Sequence, residues 1–164
     1  MDRRRRTFLK TAGVAAVAPA IAKAKPLISD DASDSKKIQA NLTAVAAHFH
    51  NESANEVEKA CALYTTDIVW EAPARNLLFR DKNDVVANYK KMFASMKDVK
   101  FRMLDRFATA DRVVDDSEVT VTVTGPDFLP VPIGSKINMR LVHIFEMREG
   151  KIAKEIAYEM WKVV

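Results

Sequence analysis

Two residues in the last third of the chain have the types and spacing of acid/base chemistry. His143 lies in Leu-Val-His-Ile-Phe, between Leu141 and Phe145, and Glu155 lies in Lys-Glu-Ile-Ala-Tyr-Glu-Met-Trp. Between them stands Arg148-Glu149-Gly150-Lys151, a hairpin turn with glycine where a positive φ costs little. The two flanking strands are therefore neighbours, and His143 falls within one or two residue pairs of Glu155. An imidazole oriented by a carboxylate in apolar surroundings is a candidate general base. Residues two apart in a strand share a face, so Ala153, Glu155, Ala157, Glu159 and Trp161 lie together, with Tyr158 and Met160 on the opposite side. Leu141, Phe145 and the small Ala157 would line a binding pocket beside the pair, with Trp70 as a further wall or as core filler and Tyr158 as a polar donor. A second reading makes His143 a hydrogen-bonded core residue and Glu155 a charge at the sheet rim. Glu159 is expected to face solvent or an interface.

Other reactive types offer less. His48 and His50 are two apart on a helical stretch and point about 200° from each other, so they cannot share an ion. Helical metal ligands need the i, i+4 spacing, and no metal site is expected. Cys61, the one cysteine, allows no intramolecular disulfide and reads as a packed small residue. The methionines read as core filler.

These residues need elements to hold them. From Lys36, Ile38, Leu42, Val45 and Phe49 recur at spacings of three and four, an amphipathic helix with one buried stripe. Asp34 or Ser35 would cap it. Asn51 to Asn55 interrupts, and a second helix carries Val57, Ala60, Cys61 and Tyr64. Ile-Val-Trp-Glu-Ala-Pro is a short strand ended by Pro73, residues 76–81 a short strand or turn, and residues 82–96 a third helix capped by Asn83 or Asp81. The period then changes to two: residues 99–125 form two alternating runs parted by Ala-Thr-Ala-Asp, residues 126–135 hold three prolines and form a loop, and residues 136–147 and 151–163 form the last two strands. Helices first and antiparallel strands after predict an α+β domain over residues 36–164.

The N-terminus is of another kind. Arg5-Arg6-Thr7-Phe8-Leu9-Lys10 matches the Arg-Arg-x-Phe-Leu-Lys pattern of twin-arginine signal peptides. The apolar run from Ala12 to Ala22 is about half the length that a spanning helix requires, with small residues at Ala18, Ala20 and Ala22 for cleavage. Residues 1–22 are therefore expected to direct export to the periplasm or outside the cell, with membrane contact only in transit, and residues 23–35 to be a flexible leader. Arg3, Arg4, Arg5, Arg6 and Lys10 against Asp2 account for the whole net charge of +4, leaving the remainder near neutral. A domain without a basic stripe is not a nucleic-acid binder.

The element order resembles that of the nuclear transport factor 2 superfamily. Leu-Tyr-Thr-Thr-Asp-Ile-Val-Trp-Glu-Ala-Pro (63–73) and residues 129–161 are similar to the SnoaL-like group within it, the resemblance covering roughly residues 36–162. It implies helices packed on a strongly curved antiparallel sheet, a cone with an internal pocket. Members of that group cyclise polyketides, hydrolyse epoxides, isomerise or dehydrate substrates, or only bind ligands and partners. Enzymes among them place an Asp, or an Asp/His pair, on the last two strands facing inward. Here the terminal Tyr-x-Asp reads Tyr158-Glu159-Met160 and a second carboxylate position reads Ala157, so His143 and Glu155 would have to compensate; a Glu followed three residues later by Tyr does match one SnoaL-like subgroup. The resemblance thus implies an exported protein that binds a small hydrophobic or carbonyl-containing molecule, with cofactor-free cyclase, isomerase or hydratase chemistry, or a non-catalytic ligand-binding or interaction module. A homodimer through the outer sheet face is implied by analogy, with Val119, Val121 and Val123 or their alternates supplying the surface.

Overall fold

The computed structural model describes residues 32–164; the expected signal segment, 1–22, and the expected leader up to residue 31 lie outside them. Helix α1 (Ala32–Ser53) takes in residues 32–35, so Asp34 and Ser35 are helical and do not cap it. It also runs through Asn51, and the chain bends at Asn55, which adopts a left-handed φ of 59°. Helix α2 (Val57–Ala62) is shorter than its pattern predicts. Tyr64 belongs to strand β1 (Tyr64–Ala72) instead, because Thr65, Thr66, Ile68 and Val69 are β-branched and fit a pleated surface better than a helix. A 3₁₀ turn (Pro73–Arg75), strand β2 (Leu77–Phe79) and helix α3 (Lys82–Ala94) follow. Asp81 is the α3 cap: its carboxylate accepts from the backbone N–H groups of Asn83 at 2.8 Å and Asp84 at 3.4 Å.

Strands β3 (Met96–Ala108), β4 (Arg112–Val123), β5 (Lys136–Arg148) and β6 (Lys151–Val163) complete a six-stranded sheet in the order β2-β1-β6-β5-β4-β3. All neighbours are antiparallel except β1 and β6, which run parallel, so the sheet is mixed. Register shifts in the β3/β4, β1/β6 and β5/β6 pairs bend the strands. The sheet curls without closing, and α1 and α3 pack into its concave side. Among the described helices, none is long and apolar enough to cross a membrane.

The concave face carries the core: Trp70 from β1, Phe145 from β5, Ile152 from β6, and Val45 and Tyr89 from the helices are all buried. Val119, Val121 and Val123 also point inward and are buried, so they cannot form an outer dimer surface; Thr120 is their exposed alternate. The shift between Glu146 and Met147 changes the phase of β6. Ile152 and Glu155, three apart, both face the core, whereas Ala153 is only half-buried and leaves the face shared by Glu155 and Ala157.

The β5–β6 turn has positive φ at both central residues, Glu149 at 52° and Gly150 at 73°, the requirement of a type I′ hairpin. Asn adopts that conformation at a lower cost than Glu. Glu149→Asn is therefore expected to stabilise the domain by about 0.5–1 kcal/mol, read as a rise in Tm; an unchanged or lower Tm would contradict the assignment of the turn.

Candidate active site

The curl of the sheet places an acidic side chain at the centre of the fold. Glu155 is 0% exposed, and its carboxylate is met from four directions. Oε2 accepts from the Tyr64 hydroxyl at 2.6 Å, and Oε1 accepts from the Tyr89 hydroxyl at 3.0 Å and the Trp70 indole N–H at 3.1 Å. His48 Nε2 lies 3.5 Å from Oε2, and His143 Nε2 lies 3.4 Å from Oε1. Glu155 is thus an interior hub, not a charge at the sheet rim. The expected proximity to His143 is realised one step off direct pairing: His143 is opposite Ala157, and Glu155 is opposite Phe145.

Burial pushes the Glu155 carboxyl up, but the hydrogen bond and charge of His48, the charge of His143 and the Tyr64 hydroxyl outweigh it and hold the group below the ordinary carboxylate range. Burial pulls His48 down, and the charge of Glu52 with the bonds to Glu155 and Glu52 reverses this, raising it well above its usual value. Burial, followed by the charge of Glu155, drives both Tyr64 and Tyr89 upward, so they remain donors. Burial pushes the Cys61 thiol up to about 12, which keeps it a packed thiol and no nucleophile.

His143 occupies the wall of a cavity. Its ring is stacked on Phe145 at 5.4 Å and meets the edge of Phe49 at 5.1 Å, which fixes its plane. Its Nδ1 is buried without a partner among the described residues. Since Nε2 faces a carboxylate oxygen, the neutral ring places its N–H there and leaves the Nδ1 lone pair uncommitted. The cavity holds about 480 Å³ of empty space, mouth included. It suits a small, compact molecule. Trp70, Leu141 and Ala157 are on its wall as expected, with Phe93, Phe101 and Phe128 adding apolar surface. Phe145 is not; it is fully buried and supports the His143 ring. Tyr158 is 47% exposed on the outer face and cannot touch a ligand in the cavity. Met160, 68% exposed, also points outward, so the identity of residue 160 has no bearing on the cavity.

Glu159 is the inward neighbour, and it is buried, not solvent-facing. Arg75 at the end of the 3₁₀ turn grips it with two bonds, Nε to Oε2 at 2.9 Å and Nη2 to Oε1 at 2.8 Å. The guanidinium also sits 5.5 Å over the Trp70 ring. Its Nη1 bonds to the Met92 sulfur at 3.5 Å, its one hydrogen-bond partner among the described residues, and Arg75 and Glu159 both line the cavity. Burial raises the Glu159 carboxyl, and the charges of Arg75 and His143 offset this only in part. A raised folded-state value means stability that is complete below about 4.5, the ordinary value of the carboxyl, and that is lost as pH rises through the folded value. The parent should therefore lose stability relative to Glu159→Gln as pH rises above about 4.5, measured by urea unfolding across pH 4–7; parallel profiles or the opposite slope would refute this.

His48 and His50 part as expected, His48 inward and His50 outward. The partners of His48 are different ones: Glu52 Oε1 lies 3.1 Å from its Nε2, and His48, Glu52 and Glu155 bring ligand-type atoms within 4.8 Å of one another. Glu52, Tyr64, Arg75 and Tyr89 belong to the site without having been read from the sequence as functional. The signal for Glu52 was available, since His48 and Glu52 stand four apart on the same stripe as Val45 and Phe49.

The SnoaL-like domain family matches residues 45–155. A search of curated proteins finds no significant match. Among solved structures, an LEH-like epoxide hydrolase from M. tuberculosis superposes with a TM-score of 0.62 at 14% identity, over 76% of this chain and 85% of that one. A protein assigned as a polyketide cyclase from Silicibacter gives 0.62 at 17%, over 75% and 90%. A protein of ketosteroid isomerase-like fold from Catenulispora acidiphila, in complex with trimethylamine, gives 0.57 at 14%, over 70% and 83%. Identities this low establish a shared fold and leave the chemistry to the side chains.

Proposed function

Because the chain belongs to the SnoaL-like domain family, we propose that its cavity takes a small hydrophobic, carbonyl-bearing molecule and that His143 moves a proton to or from it, in chemistry of the isomerase, cyclase or hydratase type. The observation that carries this reading is the His143 ring itself: it stands in the cavity wall, anchored on a buried carboxylate through Nε2, with a buried Nδ1 that has no partner among the described residues, and Arg75 is on the same wall. In the proton-transfer step the bond between hydrogen and the carbon next to the carbonyl breaks, the proton passes to Nδ1, and the electron pair forms an enolate. Arg75, with Nη1 committed only to a thioether, is the cation in the wall that can receive the developing negative oxygen. Where a β,γ double bond extends the enolate to a dienolate, return of the proton to the γ carbon yields the conjugated isomer. Neighbouring proteins that carry epoxide hydrolase or polyketide cyclase names support hydrolytic or carbonyl chemistry on this scaffold without choosing between them.

The test is deuterium incorporation at the carbon next to the carbonyl of small ketones in heavy water, followed by NMR. Incorporation at a rate proportional to protein supports the reading, and none above the buffer rate opposes it. A second reading, ligand binding or protein interaction without turnover, is favoured by the small space open to a ligand. It predicts saturable uptake of such a molecule with no exchange.

Export through the twin-arginine route to the periplasm or beyond is part of this proposal, supported by Arg5-Arg6-Thr7-Phe8-Leu9-Lys10. So is a homodimer through the outer sheet face, where Tyr158 and Met160 stand exposed.

A further inference from the structure

We infer that His48, Glu52 and Glu155 form a binding site for a divalent first-row transition ion, with zinc as the probe. The inference goes beyond the proton-transfer reading and does not depend on it, since His143 Nδ1 is not among the ligand atoms. Two of the three donor–donor distances are close to the edge of a tetrahedral site. Zinc holds nitrogen and oxygen ligands at about 2.0–2.2 Å, which makes the edges of the tetrahedron about 3.3–3.6 Å. Here His48 Nε2 is 3.1 Å from Glu52 Oε1 and 3.5 Å from Glu155 Oε2, and all three donors fall within 4.8 Å of one another. The i, i+4 spacing of His48 and Glu52 directs both ligands to one side of α1, and β6 supplies the third from across the cavity.

The surroundings orient two of the ligands, His48 and Glu155, as metal sites require. The backbone carbonyl of Ala60 can only accept, so His48 Nδ1, 3.2 Å away, carries the proton and donates, and Nε2 is the nitrogen turned to the ion. Tyr64, Tyr89 and Trp70 fix the Glu155 carboxylate through three donated bonds. A lone pair of Oε2 remains beyond the one that Tyr64 takes. Charge gives an independent reason. Glu52 and Glu155 are two buried carboxylates against His48, with His143 facing Glu155 as well. Even with the His48 ring charged, His48, Glu52 and Glu155 keep one net negative charge that an interior does not hold cheaply, and a divalent ion in place of the Nε2 proton would balance it. The architecture of Glu155 needs no Glu52, whose place on the α1 stripe would suit leucine. Glu52 and Glu155 both line the cavity, which gives an ion a way in and leaves a fourth coordination position for solvent or a bound molecule.

The test uses the full chain, stripped with a chelator and titrated with zinc by calorimetry, with X-ray absorption at the zinc edge on the loaded protein. The expected result is saturation at one ion per chain, and a nitrogen/oxygen shell at about 2.0–2.1 Å with imidazole scattering and no sulfur at about 2.3 Å. Glu52→Gln, compared with the parent after metal-free thermal melts have established that it folds, should bind zinc on the order of 100-fold more weakly. His50→Ala, at an exposed position, should bind as the parent does. Absence of saturable binding, a sulfur shell from Cys61, or unchanged affinity in Glu52→Gln would overturn the site. The absorption spectrum of the parent decides the matter should Glu52→Gln fail to fold. None of these readouts involves turnover, so loss of the zinc site and loss of the proton-transfer reading are told apart.

Discussion

Glu155→Ala is expected to destabilise the domain by about 3–5 kcal/mol, the range measured when one member of a buried charged network is removed. The substitution leaves the Tyr64 and Tyr89 hydroxyls, the Trp70 indole and two histidine nitrogens facing a void where water has little room. Each unmet buried donor adds to the cost, and domains of this size hold only about 5–15 kcal/mol in total. Glu155→Gln should cost less, because its carbonyl still accepts, although its NH₂ group confronts donors. Urea unfolding followed by circular dichroism measures both. A loss below about 1 kcal/mol for the alanine variant, no more than a surface substitution costs, would show that the hub is not needed for the fold.

His143→Gln carries the second large effect. Its amide can still donate toward Glu155 from the position of Nε2, but nothing replaces the lone pair of Nδ1. General-base contributions are about 10²–10⁴-fold, so the deuterium exchange rate should fall by that factor while affinity for the ketone stays within a few-fold. Thermal stability should change little, because Phe49, Phe145 and Glu155 still pack the side chain. Exchange unchanged in the variant would remove His143 from the reaction; affinity lost with exchange would make it a binding residue instead.

The sequence made some of this legible and concealed the rest for identifiable reasons. Alternation over residues 136–163 and the glycine of the turn place His143 near Glu155, because a tight hairpin fixes register. The same alternation puts Glu159 on the face of Glu155 and Ala157, and the expectation that it meets solvent or an interface fails because a carboxylate with no visible partner in the sequence is read as exposed. Arg75, 84 residues away in sequence, is the partner that makes a charge tolerable there. Tyr64 shows how local propensity yields to its context. Its spacing from Val57, Ala60 and Cys61 fits a helix, yet the β-branched residues after it draw it into β1, where its hydroxyl reaches Glu155. The parallel pairing of β1 with β6 joins distant segments and leaves no periodic trace. His48 and Glu52 were the missed opportunity: two polar residues on a buried stripe at i, i+4 mark a constellation that comparison of His48 with His50 hides.

These side chains share one principle of construction. The curled sheet brings charges from α1, the 3₁₀ turn, β5 and β6 to one interior, and most of them are fixed to each other. Among the described residues His143 Nδ1 has no partner in that network, and the proposed function assigns it to a ligand.

Native mass spectrometry of the protein purified from its own source, with organic extraction of whatever travels with it, tests the central claim most directly. The proposal predicts one small, apolar, carbonyl-bearing molecule per chain, released by the extraction and able to rebind. A chain that carries nothing and takes up none of a panel of small ketones would contradict it.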